Sequence, residues 1–410
     1  MALNEKFNRS YKQADPTAGG QGRAGVLPHI PDVERALTTL DDEVYAQLLH
    51  EYHHGRERGQ TTHNKYLDPH FTWMPGFTNV ITGWPGHGKS RLFFELLLLR
   101  AAFAGKKSAI WPSENLPPKT FYQDLLHTLT GQPADKSQHG YMGLAELKRA
   151  TDFLREYIIL LNPPTGMGYT PPHMLAICEA AIAKHGVAHC MLDPWNKQDH
   201  SAKVKLGGDE GYLIHTLGLC TKWSQDTRQC LVLTAHPRRL DELKYGQTRP
   251  VPDGATISGG QMWENAPHFV GAVHRMFKHI PGNREAAFYA HKCKDEQHVA
   301  ALGTVGGYGL DGSPPLVPVA FDPITMRYRW GRERWSPLDG EKVKIIYASP
   351  AAAPAPQLPL APVAPALPTP LRTAGPTNFE EAGPQPNEIP ANWHPNGRPI
   401  TLPSPHSGNA

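Results

Sequence analysis

The sequence predicts an α/β domain built on a mostly parallel sheet with helices on both faces. Three observations predict it. Apolar segments of strand length alternate with helix-like segments from Phe77 to Pro237. Those apolar segments show no in–out alternation, the pattern of strands buried on both faces. Finally, Gly83 to Ser90 (GWPGHGKS) fits G-x-x-x-x-G-K-[ST] between a strand-like Phe77–Thr82 and a helix-like Arg91–Ala104. In that setting the pattern is a phosphate-binding loop.

The loop is the first element to justify. Gly83, Gly86 and Gly88 let backbone N–H groups wrap phosphate oxygens, Lys89 brings charge to the β- and γ-phosphates, and Ser90 offers a hydroxyl to Mg²⁺. Trp84, Pro85 and His87 complete this nucleotide-binding set. Lys107–Glu114 reads as a second strand ending in an acid, after which Pro117 and Pro118 open a helix to about Leu129. Tyr157–Asn162 is a short apolar strand, and Pro172–Gly186 a helix closed by Lys184 and Gly186. Ala188–Trp195 reads as a strand carrying Asp193, Glu210–Thr227 as a helix, and Cys230–Pro237 as another continuous apolar strand. Ligands of such sheets bind at the carboxyl ends of the strands. Gly83, Glu114, Asp193 and His236 all fall there.

Each of these residues has two readings. Asp193 is a carboxylate for the Mg²⁺ water shell opposite Ser90, or a turn residue before Pro194. Glu114 is a base for the water that attacks the γ-phosphate, or an acid favoured by the N-terminus of the Pro117 helix. His236 senses the γ-phosphate by a hydrogen bond, or is one strand-end histidine among 22. Beyond it, Arg238, Arg239, Lys244 and Arg249 lie among turn formers, suited either to a polyanionic backbone or to a solvated loop. Ile257–Gly260 (ISGG) supplies small residues for close backbone approach.

Composition sets the boundaries. Of 41 prolines, 16 fall between Pro350 and Ala410, so 348–410 is expected to be a disordered Pro/Ala-rich tail, either a tether or inert. Residues 1–25 are polar, glycine-rich and aperiodic, and are expected to be disordered. Residues 26–70 read as a helical lead-in capped by Asp32, which leaves 71–335 for one large domain. A net charge of +3 does not announce a nucleic-acid partner. The five cysteines lack C-x-x-C spacing and read as reduced core residues. The longest apolar run, Leu92–Ala104, is interrupted by Glu95 and Arg100 and is too short for a bilayer. A soluble protein of the bacterial or phage-infected cytosol, with no membrane partner, is expected.

From about Tyr52 to Trp330 the ordered motifs resemble the RecA-like ATPase domain of DnaB-like ring replicative helicases, with Twinkle-type and phage members nearest. The segment from His53 to Ser90 is similar to that family's entry segment. SEN at Ser113–Asn115, LDPWNKQDH at Leu192–His200, TAHPRRL at Thr234–Leu240 and ISGGQMWENAPHFVGAVHR at Ile257–Arg275 follow in the family's order. The resemblance implies a RecA-like P-loop NTPase, using ATP and Mg²⁺, that acts as a homo-hexameric helicase on single-stranded DNA. A related DNA-stimulated ATPase of phage or plasmid replication or recombination, without unwinding, is the alternative. Two departures stand out. Pro267 and His268 replace an expected A-D, with Gly259–Gly260 where glycine-serine is usual. Lys292 and Lys294 stand where the family has K-x-R, whose arginine reaches the γ-phosphate of the neighbouring subunit. Lysine keeps that trans-acting charge and loses the planar fork. The chain has neither the residues nor the cysteine pairs for a primase module, so priming is expected from a separate partner.

Overall fold

The computed structural model describes residues 40–164, 169–238, 249–295, 316–340 and 343. The expected disordered segments 1–25 and 348–410, the expected cap Asp32, and Arg239 and Lys244 lie outside these residues. The chain divides into two compact units between Glu57 and Arg58.

In the first unit, helix α1 (Asp42–His54) begins at Asp41, whose carboxylate accepts the Val44 N–H at 2.9 Å. Asp42 and Glu43 fill its first turn and His53 and His54 its last, the arrangement the helix dipole favours.

The second unit carries β1 (Thr78–Thr82), α2 (Lys89–Ala104), β2 (Lys107–Pro112), α3 (Pro118–Thr130), α4 (Leu144–Tyr157), β3 (Ile158–Leu160) and α5 (Pro171–His185). Then follow β4 (Val187–Asp193), α6 (Gly208–Thr227), β5 (Cys230–Ala235), α7 (Met262–Asn265), β6 (Phe269–His274), β7 (Glu285–Cys293), β8 (Leu316–Asp322) and β9 (Arg327–Trp330). The strands form one sheet in the order β3-β2-β4-β5-β1-β6-β7-β8-β9. From β3 to β6 every pairing is parallel, and from β6 to β9 every pairing is antiparallel. The expected mostly parallel, doubly covered sheet is therefore extended at one edge by an antiparallel meander.

The unbroken apolar strands have a simple cause. Ile81, Ile110, Met191 and Val232 point into one core with α2, α3 and α4. Their strand neighbours Val80, Ala109, Trp111, Cys190, Leu192, Leu231 and Leu233 point into the other, with α5 and α6. Alternation persists, but both faces are dry.

Three expected bounds shift. β2 ends at Pro112, leaving Glu114 in the turn beyond it, and β5 ends at Ala235, just before His236. Residues 58–70, expected in the lead-in, pack with the second unit. There Leu67 is fully buried, and the Asp68 carboxylate accepts the Thr62 N–H at 2.7 Å. Buried Arg100 of α2 donates to Thr61 O at 3.1 Å, tying this segment down.

Glu95 sits in the middle of α2, fully buried, and accepts the Tyr328 N–H of β9 at 2.7 Å. Burial pushes its carboxyl up from an ordinary 4.5 to about 7, against the Tyr328 bond and Arg327. The neutral acid is the form the fold favours, so its contribution to stability is complete below pH 4.5 and is lost as pH rises through 7. That window spans about 3 kcal/mol. Glu95→Gln keeps the shape without the titration. Urea denaturation at pH 5 and pH 8 is expected to show a loss of stability in the parent that the variant lacks; equal losses in both would remove Glu95 from the account.

Candidate nucleotide-binding site

The strand order β2-β4-β5-β1 sets four carboxyl ends side by side. Glu114 follows the first, Asp193 ends the second, His236 follows the third, and the phosphate loop follows the fourth. Register holds them level, with Pro112 opposite Asp193 and Thr82 opposite Ala235. Above this edge lies an open cleft of about 640 Å³ whose walls include Gly86, Lys89, Ser90, Glu114, Asn196 and His236.

The loop is shaped from outside the motif. Gly88 adopts φ +94°, and a Cβ there would lie 2.0 Å from the Tyr328 hydroxyl, which donates to Gly88 O at 2.9 Å. Both the dihedral and the space demand glycine. Lys278 donates to the carbonyl of Pro85. Two residues expected in the nucleotide-binding set turn their side chains to the protein instead. Trp84 Nε1 donates to Pro250 O at 2.9 Å, and the buried His87 ring accepts the Arg275 N–H on Nδ1 at 2.9 Å. Burial, then His274, lowers His87 to about 3, so it is a neutral brace. What remains of Trp84 and His87 for a ligand is main chain.

Asp193 is buried at the end of β4, where its Oδ1 accepts the Ser90 hydroxyl at 2.8 Å and the Thr234 hydroxyl. Its Oδ2 is buried without a hydrogen-bond partner among the described residues. Burial raises the Asp193 carboxyl above its usual range, against the pull of Thr234, Lys89 and Ser90. A buried carboxylate oxygen left over beside a serine hydroxyl is a donor set for a hard, oxygen-seeking cation, and Mg²⁺ fits it. Ser90 and Asp193 would hold that ion through its water shell.

Lys89 is buried at the cleft floor, its ammonium 3.2 and 3.3 Å from the two ring nitrogens of His236. Burial lowers the Lys89 pKa, opposed by Asp193 and Glu114. Burial, then Lys89, lowers that of His236, so its ring is neutral at pH 7. Glu114 Oε1 stands 3.9 Å from His236 Nε2, a polar approach rather than an ion pair. The Glu114 turn is fixed by Ser113, whose N–H donates to Asp193 O at 2.9 Å. Asn196 Oδ1 accepts the His236 N–H at 2.9 Å. Glu114, Asp193, His236 and Lys89 thus meet as the sequence anticipated. Thr234, Tyr328, Lys278 and the bracing role of Asn196 were not anticipated, although Asn196 lies inside the D-P-W-N match.

The remaining candidates lie elsewhere. Arg238 is exposed, with its N–H on Thr256 O at 2.8 Å. Lys294, just past β7, is also exposed. Lys292 is not available to a neighbour in this arrangement. Its ammonium caps the end of α7, donating to the carbonyls of Glu264, Asn265 (3.1 Å) and Pro267 (2.9 Å). The departures also have local causes. His268 Nδ1 accepts the Thr78 N–H at 3.1 Å and its ring stacks on Phe77, so it closes the start of β1. Gly260 has φ +65°, where serine is strained. All five cysteines are free, four of them buried. Among the described residues no helix is long and apolar enough to cross a membrane.

No protein-family model matches the chain. It is 25% identical over 226 residues to the Twinkle homolog protein, chloroplastic/mitochondrial, of Arabidopsis thaliana. The match covers 54% of this chain and 31% of that protein, so the chain spans about a third of that relative's length. Among solved structures, one described as an ATPase domain superposes with a TM-score of 0.53 at 13% identity, over 71% of this chain and 98% of that one. A DnaB-like replicative helicase, solved in a study of its interactions with primase, gives 0.52 at 12% identity, over 70% and 67%. Fold, motif order and these likenesses agree: the chain contains a RecA-fold domain of the DnaB-like helicase type.

Proposed function

We propose that this chain is the motor subunit of a ring-shaped, ATP-dependent DNA helicase that hydrolyses ATP with Mg²⁺ and moves along single-stranded DNA. The observation that carries the reading is the row of Glu114, Asp193 with Ser90, and His236 with Lys89 along one sheet edge above a phosphate loop. Phosphoryl transfer to water needs little more than this: a clamp on the phosphates, a cation, and a carboxylate to orient the attacking water. In this reading the main chain of Gly83–Ser90 and Lys89 hold the β- and γ-phosphates. Glu114 takes the proton of the attacking water, and His236 reports the γ-phosphate to the segment that starts at Arg238. Likeness to the Arabidopsis Twinkle homologue supports the replicative assignment.

A homo-hexamer follows if the charge missing from this site comes from a neighbour. Lys294, exposed past β7, is the residue assigned that role, and Lys292 is withdrawn from it because its ammonium is already bound. Single-strand contact is assigned to Arg238, with Arg239 and Lys244 beyond it. A lysine in place of the arginine fork favours a second reading, a DNA-stimulated ATPase that does not unwind.

A forked substrate with labelled 5′ and 3′ tails, incubated with and without ATP and Mg²⁺, separates the two. ATP-dependent strand release is expected; hydrolysis stimulated by DNA without release would replace the helicase by the second reading. Lys294→Ala mixed with the parent chain is expected to depress ATPase out of proportion to its fraction. Strictly linear dilution would remove the intersubunit role.

A further inference from the structure

The basic segment that opens at Arg238 begins and returns against the phosphate loop. At its start, His236 bonds Asn196 through its N–H and receives the Lys89 ammonium on its ring. At its return, Trp84 Nε1 donates to Pro250 O at 2.9 Å, and the Arg249 guanidinium carbon lies 4.9 Å from the centroid of the Trp84 ring. Trp84 is 2% exposed and covalently joined to Gly83 and Pro85. Arg249 and Pro250 are exposed, so the indole is what fixes them to the domain. The other side of the loop is held by Lys278 on Pro85 O. A shift of the loop main chain therefore carries the indole with it, and the indole carries Arg249.

We infer that Trp84 is a positioning residue that couples occupancy of the nucleotide site to the grip of the basic segment on a nucleic-acid backbone, acting through Arg249 and Pro250. This deepens the proposed function and rests on it. The two contacts suit the task. The N–H bond sets the height of the returning chain, and the cation–π contact holds a guanidinium beside the loop without neutralising it, so its charge stays available to phosphate. The link also acts in reverse. If bound nucleotide changes oligonucleotide affinity by some factor, oligonucleotide must change nucleotide affinity by the same factor.

The test uses the full chain and measures that factor both ways. Affinity for a fluorescein-labelled oligo-dT is read by anisotropy, with and without a slowly hydrolysed ATP analogue and Mg²⁺. Affinity for a fluorescent nucleotide is read with and without oligo-dT. The parent is expected to show equal factors in the usual range of about 5- to 150-fold. In Trp84→Leu and in Arg249→Ala the factor is expected to fall to below about 2, and the double variant to fall no further, as for two members of one contact. Trp84→Phe, which keeps the ring and loses the donor, is expected between parent and Trp84→Leu, and thermal melting tracks folding in each. If Trp84→Leu does not fold, Trp84→Phe and the exposed Arg249→Ala carry the test. Variants that bind both ligands with the parent's factor overturn the coupling. A parent that binds both ligands with a factor of one overturns it as well, leaving the motor reading intact. A parent that binds no oligonucleotide in either state overturns the proposed function and the coupling together.

Discussion

Glu114→Gln is expected to bind ATP as the parent does and to hydrolyse it about 10²- to 10⁴-fold more slowly, the range for removal of a general base. The geometry explains the split. Glu114 makes no hydrogen bond that holds the loop, while Lys89, Gly88 and Ser90, which would hold the phosphates, are fixed by His236, Tyr328 and Asp193. Its carboxylate stands at the cleft wall, 3.9 Å from the neutral His236 ring and 43% exposed, with space and water in front of it. Glutamine preserves the size and removes the proton acceptor. The competing reading, an acid favoured by the start of α3, predicts a different result. Loss of a helix-dipole partner changes stability by roughly 0.3–1 kcal/mol and leaves turnover alone. Single-turnover hydrolysis with nucleotide affinity measured separately decides between them, and a normal hydrolysis rate in the variant returns Glu114 to the helix.

Legibility of the fold follows from the kind of information each part needs. The parallel core was legible because its strands are buried on both faces, so burial alone writes them into the sequence as apolar runs. The antiparallel edge was not. β7 has exposed and half-buried positions at both ends, and β8 has exposed Leu316 and carries Pro318. Neither reads as a continuous run. The position of the site was legible because motif residues fall at strand ends, and a parallel sheet gathers its strand ends on one edge. What held the loop was not legible, because Tyr328 reaches Gly88 across 240 residues and Lys278 reaches Pro85 across 193. No local pattern marks a partner at that separation.

The same distinction accounts for Lys292. Sequence position put it beside Lys294 at a strand end, with the same charge. The antiparallel pairing of β7 with β6 then brings Lys292 opposite Val270, close to the end of α7. Three open helix carbonyls there attract an ammonium more strongly than solvent does, which is how lysine commonly closes a helix. Nearby residues of one type therefore divide between a structural and a functional role according to which carbonyls lie within reach.

Asp193→Asn is expected to lower Mg²⁺-dependent turnover by about 10²- to 10³-fold, comparable to removing one preorganised electrostatic contact from an active site. Asparagine can still accept from Ser90 and Thr234 through its oxygen, so the β4 end keeps its bonds. The lost feature is Oδ2, the buried oxygen without a partner, whose place is taken by an amide that repels a cation. The pH dependence gives a second signature. Burial raises the Asp193 carboxyl, so on acidification its proton competes with Mg²⁺ earlier than at an exposed aspartate, and the parent's Mg²⁺ requirement should increase as pH falls. The variant has no such proton and should show no such drift. Stability should move the other way. A carboxyl whose pKa is raised by burial destabilises the fold when ionised, so at pH 8 without Mg²⁺ the variant is expected to melt no lower than the parent. A variant equal to the parent in Mg²⁺ requirement at every pH would reduce Asp193 to a turn residue before Pro194. Loss of turnover together with retained stability is the pattern that only a metal-holding carboxylate produces, because its cost to the fold is offset when the cation arrives.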